Sequence, residues 1–98
     1  MIRAMDRSLL APAQLAASLT AAPGWTVVDG KLSRTYAFSS YMEGVEFAVG
    51  VANVADHMDH HPDLTIGYCR VTVAVNTHDA GGITAVDFEL ARRIDAIS

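Results

Sequence analysis

The dipeptide Asp29-Gly30, set between Trp25-Thr26-Val27-Val28 and the run from Lys31 to Phe38, constrains this chain more than any other local feature. Both residues accommodate the positive backbone angles of a type I′ turn, whose twist matches that of two flanking antiparallel strands. A hairpin is therefore expected, and with it an antiparallel sheet. Such a sheet must cover one face with other elements, and the rest of the chain supplies helices. Leu9, Leu10, Leu15, Ala16 and Leu19 recur near helical spacing with Pro12 in the first turn, which predicts a helix over about 12–21 ended by Ala22-Pro23-Gly24.

Ser40 followed by Glu43 has the form of a capping box, and Val45, Ala48, Val49, Ala52, Ala55 and Met58 then share one helical face. A second helix is expected over about 41–58, ended before Pro62 and weakened by Gly44 and Gly50 at roughly 1 kcal/mol each relative to Ala. From Leu64 to Asn76, Val71, Val73 and Val75 alternate with Arg70, Thr72 and Ala74, so one face is buried, with a possible bend at Gly67-Tyr68 making one kinked strand or two short ones. Asp79-Ala80-Gly81-Gly82 is a turn, Thr84 an N-cap, and Val86, Leu90, Ala91, Ile94 and Ile97 mark a last amphipathic helix. Residues 1–8 carry mixed charge without period and read as a lead-in. The expected fold is α+β: two layers, an antiparallel sheet of about four strands with helices on one face, in the order helix-β-β-helix-β-β-helix. Its unpaired edges and the small residues of the second helix invite self-association.

A chain of 98 residues supports one domain, here 1–98. Its formal net charge of −4, with no basic run, argues against direct binding to nucleic acid. No apolar run approaches the roughly 20 residues that cross a bilayer, and no signal-peptide pattern opens the chain, so no membrane partner and a cytoplasmic location are expected. Cys69 is the one cysteine, read as a buried, inert thiol within a strand, in keeping with a reducing compartment.

All four histidines lie between His57 and His78. His60 and His61 stand between a helix end and Pro62, and His78 follows a strand, so all three occupy element termini where side chains converge. Asp56, Asp59, Asp63, Asp79 and Asp87 are available to fix a ring tautomer. Imidazole exchanges protons near neutral pH, so two rings in opposite protonation states suit acid-base work. Spacing alone leaves metal binding through His57, His60, His61 and His78 open, while His57 by itself reads as a cation at a helix C-terminus. Asp87 reads first as the capping-box partner of Thr84, and Trp25 as core or pocket wall.

The ordered set Asp56-x-x-x-His60-His61-Pro62-Asp63, Tyr68, Thr77-His78-Asp79-Ala80-Gly81-Gly82-Ile83-Thr84, Asp87-Phe88-x-Leu90-Ala91 and Ile94-Asp95 resembles the pterin-4a-carbinolamine dehydratase family. The likeness runs upstream through Gly24-Trp25, Gly30 and Val51-Ala52, from about residue 10 to the end. It implies a helix-covered antiparallel sheet assembled as homodimers or homotetramers. It also implies an activity: removal of water from 4a-hydroxytetrahydropterins to give quinonoid dihydropterin, part of tetrahydrobiopterin recycling, with no metal and no organic cofactor. By position, the resemblance makes His60, His61 and His78 the catalytic set, His60 and His78 moving protons and His61 orienting the pterin ring, with acid and base unassigned. Asp59, Thr77 and Asp79 would bind the substrate beside the histidines; Asp56, Pro62 and Asp87 would support them. Two positions depart from the pattern: Asp56 stands where Glu is frequent, a shorter reach, and Leu64 where relatives often carry Trp, removing a stacking wall. Relatives in animals also act as dimerisation cofactors of a transcription factor, so an interaction module is the competing expectation.

Overall fold

The computed structural model describes residues 6–98, in the order α1 (Pro12–Thr20), β1 (Thr26–Val28), β2 (Lys31–Ala37), α2 (Tyr41–Met58), β3 (Asp63–Gly67), β4 (Arg70–Val75), a 3₁₀ turn (His78–Ala80) and α3 (Ala85–Ile97). Residues 1–5 of the expected lead-in lie outside the described residues. The hairpin forms as expected, with Asp29 at φ 50° and Gly30 at φ 76°, both angles that a type I′ turn requires. It pairs Val27 with Leu32 and Val28 with Lys31.

All pairings are antiparallel and the strand order is β1-β2-β4-β3. Leu32, Arg34 and Tyr36 lie opposite Val75, Val73 and Val71, and Leu64 and Ile66 opposite Val73 and Val71. Val71, Val73 and Val75 are buried while Thr72 and Ala74 are only half-buried, which marks the side the helices cover. On the other side Thr35, Thr72 and Thr65 form a cross-strand row, with Thr35 and Thr72 joined through their hydroxyls at 2.8 Å.

Two expectations need correction. Of the two alternatives for the stretch after Pro62 the two short strands are found, but Cys69 is not inside either: it sits half-buried at the second turn position with φ 59°. A two-residue turn between Gly67 and Arg70 places Ile66 opposite Val71 and Leu64 opposite Val73, on the same side of the sheet, with Leu64 packed against the core and Ile66 exposed on the edge strand. The buried face of α2 is Gly44, Phe47, Ala48, Val51, Ala55 and Met58, with Val49 exposed, so the helix is turned from the orientation expected of Val45, Val49 and Ala52. Phe47 sets the phase, its ring 4.7 Å from Tyr36 and 5.1 Å from Phe38 between centroids. The helix boundaries are as expected: Ser40 Oγ accepts from Glu43 N–H at 3.2 Å, and Glu43 accepts from Ser39 N–H at 3.0 Å.

On the helix-covered side, Asp95 of α3 gathers the hairpin. Its carboxylate accepts from Trp25 Nε1 at 3.0 Å, from Arg34 Nη1 at 3.1 Å and from the Tyr36 hydroxyl. The Arg34 guanidinium also lies 4.6 Å over the Tyr36 ring. Helix α1 buries no residue fully; Leu10, Leu15 and Leu19 lean on the core, and Leu10 N–H donates to Ile83 O at 3.1 Å.

Candidate active site

Helix α2 delivers the histidine pair by ending abruptly. Asp59 adopts the left-handed conformation, φ 51° and ψ 45°, which Asp tolerates better than most residues. His60 N–H then returns to Ala55 O at 3.0 Å, and Pro62 bars any further helical turn. This fold-back drives the His60 ring inward, to 7% exposure, while His61 stays at the surface.

There His60 Nε2 meets Asp87 Oδ1 at 2.6 Å, with Asp87 fully buried. Asp87 is the third residue of α3, and its other oxygen, Oδ2, accepts from Thr84 N–H at 2.8 Å as a capping box requires. The Thr77 hydroxyl donates to the same Oδ2 at 3.0 Å and lies 2.7 Å from the Thr84 hydroxyl. One carboxylate thus joins the exit of α2, the end of β4 and the start of α3. The capping role and the histidine-holding role both hold, one oxygen for each. Thr84 is the member that the pattern of histidines and carboxylates did not single out, although its spacing to Asp87 carried the signal.

His78 follows Thr77 directly and opens the 3₁₀ turn, exposed; Asp79 beside it is exposed too. A bridge between Thr77 and Gly82 closes that turn, with Gly81 at φ 77°. Thr77 is 1% exposed: its N–H donates to Gly82 O at 2.8 Å and its carbonyl accepts from the amides of Ala80 and Gly81 at 3.0 Å each. His61 Nε2 lies 2.8 Å from Asp56 Oδ1, both side chains exposed, so the shorter carboxylate reaches its histidine without an intermediary. Asp59 is exposed, Pro62 half-buried, and Asp63 is paired with Lys31 across the outer side of the sheet.

His57, in the last turn of α2, lines a groove of about 480 Å³ with Asn53, Val54, Arg92 and Arg93, away from the other three histidines. A second groove, about 350 Å³ between α1 and α3, holds Phe88, Glu89, Arg92 and Asp95 and again no histidine. Among the described residues no group of three or more His, Cys, Asp or Glu side chains is arranged to hold a metal ion, so the imidazole cluster that spacing left open is not assembled. No helix of the described residues is long and apolar enough to cross a membrane.

A family model described as pterin 4 alpha carbinolamine dehydratase matches residues 8–97. A protein of Herpetosiphon aurantiacus named "putative pterin-4-alpha-carbinolamine dehydratase" is 46% identical over 89 residues, covering 91% of this chain and 93% of the relative. One of the same name from Streptomyces coelicolor is 42% identical over 95 residues, 96% of this chain and 94% of the relative. The crystal structure of a transcriptional coactivator/pterin dehydratase from Brucella melitensis superposes with a TM-score of 0.83 at 33% identity, over 90% of this chain and 96% of that one. A pterin dehydratase-like protein identified as a RuBisCO assembly factor in the alpha-carboxysome shares the fold, with a TM-score of 0.60 at 22% identity over 74% of this chain and 84% of that one.

Proposed function

Because this chain belongs to the pterin 4 alpha carbinolamine dehydratase family, we propose that it removes water from a 4a-hydroxytetrahydropterin to give quinonoid dihydropterin, with protons moved by His60 and His78. The observation that carries this reading is the Asp87 carboxylate, which ties His60 to Thr77, the residue next to His78. Dehydration needs a proton taken from N5 and another given to the departing C4a hydroxyl, so a donor and an acceptor must flank one ring. His61, held by Asp56, orients the pterin, with Asp59 and Asp79 at the rim of the site. The reaction requires neither a metal nor an organic cofactor.

The finer setting belongs to the same proposal: tetrahydrobiopterin recycling, in the cytoplasm, by a homodimer or homotetramer. The sheet ending at β1 and β3 supports self-association, and the lone Cys69 thiol suits a reducing compartment. Stopped-flow decay of a synthetic 4a-carbinolamine, with and without protein, tests the activity. His60→Ala and His78→Ala are each expected to lower the catalysed rate about 10²–10⁴-fold with the fold intact. Near-normal turnover in both variants rejects the reading.

A second reading, an interaction module, is favoured by the exposed Tyr41, Met42 and Val49 on α2. Its signature is a stable hetero-complex that survives replacement of His60, His61 and His78 together.

A further inference from the structure

The hydrogen bonds around Asp87 run in a single direction, and we infer that they fix His60 with its proton on Nε2 and present Nδ1 as the proton acceptor, Thr77 and Thr84 serving as positioning residues. The chemistry rests on the dehydratase reading; the geometry does not.

Two backbone amides start the chain, and an amide N–H only donates. Val86 N–H donates to Thr84 Oγ1 at 3.2 Å, and Thr84 N–H to Asp87 Oδ2 at 2.8 Å. The one hydroxyl hydrogen of Thr77 goes to Asp87 Oδ2, so the 2.7 Å contact between the two hydroxyls needs the hydrogen of Thr84. As a carboxylate Asp87 accepts at both oxygens, which leaves His60 Nε2 to donate across 2.6 Å. A neutral imidazole carries one N–H, so the lone pair lies on Nδ1. Nδ1 bonds to no described residue. Since no buried side-chain nitrogen or oxygen among the described residues lacks a partner, the small exposure of this ring reaches Nδ1.

Thr77 changes role accordingly. With its hydroxyl engaged twice and its amide and carbonyl closing the Thr77–Gly82 turn, it acts on the substrate through Asp87 and His60. In the reaction, His60 Nδ1 takes the N5 proton and the N–H electron pair becomes the second bond of C4a=N5. The C4a–O bond breaks with its electrons on oxygen, and the leaving hydroxide takes a proton from the His78 imidazolium to form water. Exchange with solvent then returns the His60 proton and recharges His78.

The test is ¹⁵N NMR of the full-length protein above the imidazole titration range, which reports the tautomer independently of turnover. The wild-type His60 ring is expected in the Nε2–H form. In Asp87→Asn, Thr84 N–H cannot reverse, so the amide oxygen must occupy the Oδ2 position and the NH₂ must face His60. Nε2 then has to accept, and the tautomer inverts to Nδ1–H. Turnover is expected to fall at least about 10²-fold with KM nearly unchanged, because the acceptor is removed and the binding groups are not. Thr77→Val is expected to keep the Nε2–H tautomer, since Asp87 still only accepts. It should lower kcat about tenfold by loosening the carboxylate, the equivalent of one hydrogen bond of roughly 1.4 kcal/mol, with Thr77→Ser restoring the rate. An unchanged kcat in folded Thr77→Val overturns the positioning role. An Nδ1–H signal in the wild-type protein overturns the inference without any variant having to fold. So does the wild-type tautomer in folded Asp87→Asn. An Nε2–H wild-type ring in a protein that does not dehydrate a 4a-hydroxypterin supports the tautomer assignment and rejects the dehydratase reading instead.

Discussion

Asp56 and Asp87 each hold a histidine, in opposite surroundings, and the two contacts differ in what they contribute. The Asp56–His61 pair is exposed, where ion pairs stabilise by about 0–1 kcal/mol. Asp56→Ala should therefore leave the denaturation midpoint nearly unchanged while freeing the His61 ring, seen as a raised KM for the carbinolamine in steady-state assays. Asp87→Ala leaves His60 Nε2–H, the Thr77 hydroxyl and Thr84 N–H without an acceptor, at roughly 1–3 kcal/mol for each orphaned buried group. Urea denaturation separates the two variants, and equal losses of stability would refute the contrast. The residue types of this site were legible: histidines at element ends, with carboxylates near them. What could not be read was the division of labour within Asp87. Thr84-x-x-Asp87 looks like a cap and a histidine partner looks like a holder, and only coordinates assign one oxygen to each.

The boundaries of helix α2 were written in short-range chemistry, with Ser40 and Glu43 at its start and Pro62 beyond its end. Its rotation was not. Val45, Val49 and Ala52 offer a face nearly as apolar as the buried one, and the choice depends on Phe47 finding Tyr36 and Phe38, residues of another element. The same rotation brings Gly44 against β4, where an added methyl would meet Val71 Cγ2 at 3.4 Å and Phe38 Cδ2 at 3.5 Å, ordinary contact distances. Gly44→Ala is thus expected to stabilise the protein by up to about 1 kcal/mol through helix propensity, read from its thermal midpoint. A loss of stability would mean that the helix sits closer to the sheet than those distances allow. The second hairpin was half-legible: Gly67-Tyr68 marked a break, but the Val, Thr and Ile around it hid that Cys69 belongs to the turn.

At the scale of the whole molecule, the local hairpins are readable but the pairing of β2 with β4 is not, because it closes across all of α2 and depends on a shared core. Asp95 fastens the far side of that arrangement. Burial, followed by the hydrogen bond to Asp95 and its charge, raises the Tyr36 phenol above its ordinary value of 10.0. The folded chain consequently keeps this proton where the unfolded chain has released it, so the native state binds more protons and stability falls as pH rises. That contribution is complete below about pH 10 and is lost above it as pH climbs toward the folded value. Urea melts between about pH 8 and 11 should show a decline that Tyr36→Phe flattens. Equal slopes in the two proteins would dismiss Tyr36 as its source.

Trp25 is the sole indole of the chain, and its Nε1 is bound to the carboxylate that seats α3 on the first hairpin. The molecule consequently carries an intrinsic optical gauge of that joint. Any event that lifts the last helix should redden the emission of Trp25, whatever happens at the histidines, and no label is needed to see it.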